Sequence, residues 1–271
     1  MNSTKTIVIT GSQTGMGLST KQLLEKNGSK VIGVSNSGDP EITADLSTKE
    51  GVDYAVSEII RLSNGQIDGI FANAGVDSEN VELVFDLNYF GITRMLESLQ
   101  PYLKKSNNSR VVINASNSVV ITPGIPEEVV DALLNFEKEK AIQLIKSNPH
   151  YVYQVSKTAI AKWARQNAHK AEWAGNNISM NIIAPGVVLT PLIEHDMKDP
   201  RKAAGINMLP KPIGEIAKPD NIAPLVKFLL LDDSRFIIGQ YIIIDGGTEV
   251  LWREKDSPKT WDISFDDFQK L

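Results

Sequence analysis

Residues 5–27 read KTIVITGSQTGMGLSTKQLLEKN, and the order of their parts constrains the whole chain. An apolar, β-branched run, KTIVIT, predicts a strand. An amphipathic segment over residues 16–27 predicts a helix. Between them, TGSQTGMG supplies Gly11, Gly15 and Gly17, where bare backbone and a helix N-terminus can approach a pyrophosphate. The spacing is G-x-x-x-G-x-G, unlike the commoner G-x-G-x-x-G. Taken alone, such a run is more often only a turn, and its place after the first strand is what gives it weight.

Outward from this unit the same alternation repeats. KVIGV (30–34) and EITAD (41–45) precede TKEGVDYAVSEIIRL (48–62), in which Val52, Ala55, Val56, Ile59 and Ile60 recur at helical spacing. IDGIFANAG (67–75) precedes a helical stretch over about Asn88–Lys105, and RVVINAS (110–116) follows. A helix over Tyr151–Ala174, stopped by Gly175 and Asn176 as a C-cap, then leads to ISMNIIAPG (178–186), a helix over Asp220–Leu231, and QYIIIDGG (240–247). Almost wholly apolar strands separated by helices predict a parallel sheet covered on both faces. The fold class is therefore α/β, a doubly wound parallel sheet of Rossmann-like type, whose ligand crevice lies beyond the carboxyl ends of the strands. ANAG, INAS and IAPG each end a strand and should ring that crevice.

Composition narrows the function classes. With 271 residues, 42% of them hydrophobic, and no repeat or linker, one domain over residues 1–271 is expected. Zero cysteines exclude disulfides, thiolate catalysis and Cys-based zinc sites. His150, His169 and His195 lack metal-ligand spacing, so no metal is expected; His195, between two acids, reads as a solvated loop residue. The net charge is −5 with scattered Lys and Arg, which argues against nucleic acid and anionic membranes. The start has no leader-like pattern and the apolar runs are too short to span a bilayer, so a cytoplasmic location is expected.

One further stretch, VYQVSK (152–157), puts Tyr153 one helical turn before Lys157. Six tyrosines and 21 lysines in this chain produce roughly half a Tyr-x-x-x-Lys by chance, so only the surroundings can make the pair informative. Those surroundings are Thr10-Gly11-x-x-x-Gly15-x-Gly17, Asp45 after the third strand, Asn73-Ala74-Gly75, Asn88 in LNYFG, Ser116 in INAS, and Pro185-Gly186. In this order they resemble the short-chain dehydrogenases/reductases over about Lys5–Gly247. ADLSTKEG, LNYFG and the long gap between serine and tyrosine look like the bacterial 3α-hydroxysteroid dehydrogenase/carbonyl reductase type.

The resemblance implies an NAD(P)(H)-dependent oxidoreductase that interconverts an alcohol and a ketone, with Asn88, Ser116, Tyr153 and Lys157 as catalytic residues. A ketone develops negative charge on oxygen as it accepts hydride, so a positioned acid must supply a proton. A phenol, with a reference pKa near ~10, needs help, and a neighbouring ammonium is expected to lower it. By resemblance Lys157 also bonds the nicotinamide ribose, Ser116 donates to the carbonyl oxygen, and Asn88 fixes a water linking Lys157 to solvent. Plainer readings stand beside these. Ser118 could replace Ser116, Asn88 could cap a helix, and Asp45 could begin a turn rather than contact adenine.

Coenzyme contacts are expected at Gly11, Thr14, Gly15, Met16, Gly17, Ser35, Asn36, Asp45, Leu46, Asn73, Ala74, Gly75, Pro185, Gly186, Val188 and Thr190, besides Tyr153 and Lys157. An NAD-selective site carries a carboxylate at the end of the second strand, whereas a basic residue there accepts a 2′-phosphate. Here Ser35, Asn36 and Ser37 are neutral, Asp39 comes four residues late, and Thr14 stands where many NADP-dependent relatives carry Arg or Lys. The coenzyme is NADP(H) or NAD(H), with a lean to NADP(H).

Three segments fall outside the common pattern. Residues 117–150 form a helical insertion; PEEVVDALLNFEKEKAIQLIKS (126–147) predicts a docked helix with Val130, Leu133, Leu134, Ala141, Ile142 and Ile145 as its apolar stripe. Residues 187–215 read as a substrate lid. Val187, Leu189, Leu192, Ile193, Met208 and Leu209, facing Val119, Val120 and Ile121, suggest an apolar wall and hence a small hydrophobic ketone or alcohol as substrate. The tail, 248–271, carries Trp252, Trp261, Phe265 and Phe268 and should pack on a partner subunit or reach the lid. A homodimer or homotetramer follows from the resemblance. Other readings of the same fold are a non-catalytic dinucleotide-binding regulator, a 3-oxoacyl-type reductase and an epimerase; no carboxylate near the tyrosine is foreseen that would serve the last.

Overall fold

The computed structural model describes residues 4–231 and 234–269, apart from the side chains of Arg201 and Phe265. All seven expected strands form, as β1 (Thr6–Thr10), β2 (Lys30–Ser35), β3 (Ile42–Thr43), β4 (Gly69–Ala72), β5 (Ser109–Asn114), β6 (Ile178–Pro185) and β7 (Tyr241–Ile244). They make one sheet in the order β3-β2-β1-β4-β5-β6-β7, and every pairing is parallel. The order reverses between β1 and β4, which places the topological switch point at their carboxyl ends.

Alternation along each strand distributes side chains to two cores. In β1, Val8 joins one cluster while Ile7 and Ile9 join the other; in β4, Ile70 and Phe71 part in the same way. One face is covered by α1 (Gly15–Lys26) and α11 (Pro219–Leu231). The other is covered by α2 (Lys49–Leu62), α3 (Val81–Phe85), α4 (Ile92–Leu103), α6 (Glu127–Leu134), α7 (Lys138–Ile145) and α8 (Val152–Ala168), while the short α5 (Ser118–Ile121) buries no residue. Beyond β6 come α9 (Pro191–Asp196), α10 (Pro200–Met208) and α11 (Pro219–Leu231); α12 (Thr248–Arg253) and α13 (Phe265–Phe268) follow β7. Among the described residues no helix is long and apolar enough to cross a membrane.

Three boundaries differ from expectation. The helix expected over Asn88–Lys105 starts earlier, as α3, and passes through a π-helical turn, Asp86–Gly91, that carries Asn88. There Gly91 lies so close to Leu46 that a Cβ would come within 2.1 Å of the Leu46 carbonyl oxygen. The helix expected over Tyr151–Ala174 ends at Ala168, because the chain turns back to bury Trp173 edge-on against Trp163, and Asn177 rather than Gly175 takes the left-handed conformation. The insertion is a helical hairpin, not one helix. Phe136 at φ +59° breaks it, and Val130 and Leu133 from α6 and Ala141 and Ile145 from α7 are buried against the core. Folding back lets both short helices bury their stripes, which a single straight helix of that length could not do on one docking face.

Candidate active site

The glycine turn has the geometry its spacing requires. Gly11 and Gly15 have positive φ, +65° and +53°, and a Cβ on Gly17 would lie 2.1 Å from the Gly11 carbonyl oxygen. The opening N–H groups of α1 have no intrahelical acceptors and are left for a ligand. Beside this turn Asn73 clasps the strand ends. Its backbone N–H and that of Ala74 each donate to Thr10 Oγ1 at 2.9 Å, its Nδ2 donates to the Thr10 carbonyl at 3.1 Å, and its Oδ1 accepts from Asn114 Nδ2 at 3.1 Å.

Two adjoining hollows follow the carboxyl edge of the sheet. One, of about 310 Å³, holds Gly11, Thr14, Ser35, Asn36, Asp45 and Leu46. The other, of about 200 Å³, is lined by Gly15, Met16, Asn73, Ala74, Gly75, Pro185, Gly186, Val188 and Thr190 together with Ser116, Tyr153 and Lys157. Gly17 alone of the expected contacts lies behind the surface, where it admits close packing of the turn. A dinucleotide fits this cradle: its walls are close-approach glycine backbone and polar groups that are neutral apart from Asp45 and Lys157. Asp45 serves locally as well, since its Oδ1 accepts from Ser47 N–H at 2.9 Å and Ser47 Oγ at 2.7 Å, opening α2.

Lys157 is 3% exposed and donates to the Asn114 carbonyl at 2.9 Å, with Nζ 5.8 Å from the Tyr153 ring centre. Burial alone lowers its pKa to about 8. Tyr153 moves opposite to expectation. Burial raises its pKa to about 12, a hydrogen bond with Ser116 opposes that, and the carboxylates of Asp77 and Asp196 add to it. Desolvation of the phenol outweighs any help from Lys157, whose own charge is destabilised by the same burial. Ser116 Oγ also accepts from Ser118 N–H at 3.2 Å, while Ser118 Oγ is buried without a partner, so it is Ser116 that meets Tyr153.

Asn88, wholly buried, does not touch Lys157. Its Oδ1 accepts from Val76 N–H and its Nδ2 donates to the Val76 carbonyl, both at 2.8 Å, and to Ser156 Oγ at 3.1 Å. It thereby holds the Gly75–Val76 backbone beside Lys157; a Cβ on Gly75 would lie 3.1 Å from both Asn88 Oδ1 and Lys157 Nζ.

The lid residues divide. Leu192 and Ile193 line the crevice by Tyr153, whereas Val187 and Leu209 line a neighbouring apolar cavity of about 290 Å³ closed by Ile213, Ile222 and Ile244. Met208 is 73% exposed and faces neither. Lys202 of α10 bridges Asp196 at 2.8 Å and Asp77, beyond β4, at 3.5 Å. These acids lie within electrostatic range of Tyr153 but line neither hollow with it; no sequence pattern marks them, because they converge from segments 119 residues apart. His195 is 83% exposed at its side chain, solvated as expected, but it lies in α9 and not in a loop. The tail reaches two segments. Arg253 of α12 donates to the Val120 carbonyl at 2.9 Å, and Thr248 Oγ1 to the lid's Pro210 carbonyl at 2.7 Å. Further on, Trp261 meets Phe268 edge-on at 6.2 Å, while the side chain of Phe265 lies outside the described residues.

This constellation, a switch-point crevice with a glycine turn at one end and a phenol, a hydroxyl and an ammonium at the other, defines a dinucleotide-dependent α/β oxidoreductase. Family models agree: residues 5–124 match that of "short chain dehydrogenase" and residues 132–249 that of "Enoyl-(Acyl carrier protein) reductase". The 3-alpha-hydroxysteroid dehydrogenase/carbonyl reductase of Comamonas testosteroni is 31% identical over 253 residues, 91% of this chain and 97% of that one. The 3-oxoacyl-[acyl-carrier-protein] reductase of Thermotoga maritima is 29% identical, covering 90% and 97%. The crystal structure of the 3-alpha-hydroxysteroid dehydrogenase from Pseudomonas sp. B-0831 complexed with NADH superposes with a TM-score of 0.87 at 35% identity, over 93% of this chain and 99% of that one. The chain belongs to the short-chain dehydrogenases/reductases, and it is an NAD(P)-dependent enzyme of alcohol and carbonyl groups.

Proposed function

We propose that the enzyme interconverts a hydrophobic secondary alcohol and its ketone, a 3-hydroxysteroid/3-ketosteroid pair being the leading candidate, with Ser116, Tyr153 and Lys157 doing the proton chemistry. The observation that carries this reading is the convergence of Ser116, Tyr153 and Lys157 on the crevice that also holds the glycine turn. A nicotinamide dinucleotide held by that turn supplies or takes the hydride. In reduction Tyr153 Oη gives its proton to the developing alkoxide, and a phenol with a pKa near 12 is fully protonated for that task at neutral pH. Ser116 Oγ donates to the same oxygen and stabilises charge where it forms. Lys157 would hold the nicotinamide ribose, and Asn88, whose side-chain groups are taken by Val76 and Ser156, acts by holding the Gly75–Val76 backbone beside Lys157.

The coenzyme reading is use of both forms with a lean to NADP(H). Ser35 is half-buried and Asn36 and Ser37 are exposed. The nearby carboxylate of Glu41 is already engaged by Lys21 at 2.6 Å and by Gly33 N–H at 2.7 Å, so it is not free to repel a 2′-phosphate. Fluorescence titration with NADH and NADPH tests this, and a strong NADH preference would reverse it. Apolar groups around the site, Leu192 and Ile193 among them, support a hydrophobic substrate. The test is a panel led by a 3-ketosteroid, with cyclohexanone, a 3-oxoacyl thioester and the matching alcohols, followed at the nicotinamide absorbance. Turnover confined to the thioester would favour the acyl-carrier reading, and no turnover with intact coenzyme binding would favour the regulator. A cytoplasmic homodimer or homotetramer completes the reading; light scattering tests the assembly.

A further inference from the structure

The mechanism above leaves one buried phenol unused. β7 is the last strand of the sheet, and alternation turns Tyr241 toward the α8 side while Ile242 and Ile244 pack on the α11 side. From there the Tyr241 hydroxyl donates to the backbone carbonyl of Ser116, 125 residues earlier in the chain. Past the other end of β7 a second tie is made to the residue after Ser116. Asp245 Oδ2 accepts from Asn117 Nδ2 at 3.1 Å, and Asp245 is itself fixed by the N–H groups of Gly247 and Glu249, both at 2.9 Å.

β5 ends at Asn114, and beyond it the N–H groups on either side of the serine still reach β6, Ala115 to the Ile183 carbonyl and Asn117 to the Pro185 carbonyl, both at 2.9 Å, which leaves the Ser116 carbonyl as the group held from elsewhere. The following turn of helix, α5, is four residues long and contains no buried residue. The local bond to the Ser116 carbonyl, from Val119 N–H, is 3.2 Å, which is long for a backbone bond. With those N–H groups fixed by β6, the rotation of the Ser116 peptide, and with it the aim of the side chain toward Tyr153 in the shared crevice, depends on what holds its carbonyl. We infer that Tyr241 is a positioning residue that acts through Ser116, its hydroxyl fixing the serine backbone so that Oγ meets Tyr153 and the substrate oxygen. Burial first, then the fields of Tyr153, Asp245 and Glu249, push the Tyr241 pKa far up, so it remains a donor at every working pH.

This inference rests on the proposed role of Ser116, and a double-mutant cycle separates the two. Reduction of a 3-ketosteroid, or of cyclohexanone if the steroid is not turned over, is measured for Ser116→Ala, Tyr241→Phe and the double variant. Ser116→Ala is expected to lower kcat about 10²- to 10³-fold. Tyr241→Phe, which keeps the ring, is expected to lower kcat roughly 10-fold with coenzyme KM unchanged within about twofold. The double variant should match Ser116→Ala within about twofold, because the tyrosine has nothing left to position. Multiplying losses would mean a merely structural tyrosine and would overturn the inference, as would an unchanged kcat in Tyr241→Phe. An active Ser116→Ala variant would instead overturn the role of the serine. Independently of any substrate, a crystal structure of Tyr241→Phe with the Ser116–Tyr153 bond intact would count against it. Tyr241→Leu carries the same expectations should the phenylalanine variant not fold.

Discussion

Lys157 and Leu192 line the same crevice, yet one is 3% and the other 37% exposed. The contrast extends to their surroundings. On the Lys157 side, Asn88, Ser156 and the Asn114 carbonyl form a buried network anchored in α8 and β5, and each polar group is met by backbone or side chain. On the Leu192 side, Lys202 of α10, whose side chain is 39% exposed, joins α9 through Asp196 and the body through Asp77. In the proposed reading, the groups that hold a proton at a defined place are the buried ones, while the segment that admits a substrate is the more exposed one. Charge follows the same division. Burial depresses Lys157 and elevates Tyr153, whereas the exposed Lys202 is pushed up by its bond to Asp196.

The two sides should therefore answer mutation and pH very differently. The largest expected effect is Tyr153→Phe, which removes the proposed acid: turnover of a responsive ketone should fall by about 10²- to 10⁴-fold while coenzyme fluorescence still reports binding. Survival of activity would remove Tyr153 from the chemistry altogether. Next is a pH dependence on the same side. Lys157 is an ammonium below about pH 8 and a neutral amine above it, whereas Tyr153 stays protonated to about 12. Consequently kcat/KM for the reduced coenzyme, which reports free-enzyme groups, should fall about tenfold per unit above pH 8. Lys157→Met should be much weaker and flat over that range. A wild-type profile level to pH 10 would show that the lysine is not the group that titrates. Smallest is Lys202→Ala on the lid. A partly exposed ion pair contributes about 0–1 kcal/mol, so substrate KM should rise only about two- to fivefold with the melting temperature nearly unchanged. A loss as large as that of Tyr153→Phe would mean that the lid takes part in the chemistry.

Local rules make much of this molecule readable. Each strand announces itself by a β-branched run and lies within a residue or two of expectation, apart from EITAD, of which only Ile42 and Thr43 pair. Nearly every expected coenzyme contact lines the two hollows. What escaped reading shares one cause, convergence of distant segments. The π-helical turn at Asn88 depends on Gly91 meeting Leu46, and the early end of α8 depends on Trp173 returning to Trp163. Asp77 and Asp196 come within range of Tyr153 only because the chain after β6 returns to the segment after β4, where Lys202 joins the two acids. The upward move of the Tyr153 pKa could not be foreseen from Lys157 four residues on, since i,i+4 spacing reports proximity and says nothing of desolvation.

Periodicity and glycine spacing alone determined the doubly wound sheet, its switch point and the shared helical edge of Tyr153 and Lys157, because each follows from backbone sterics and from which residues cannot stay in water. The tertiary structure decided the protonation of that pair, the division of the apolar residues between two hollows, and the grip of β7 on Ser116. Those depend on burial and on contacts across more than a hundred residues, and no local pattern encodes them.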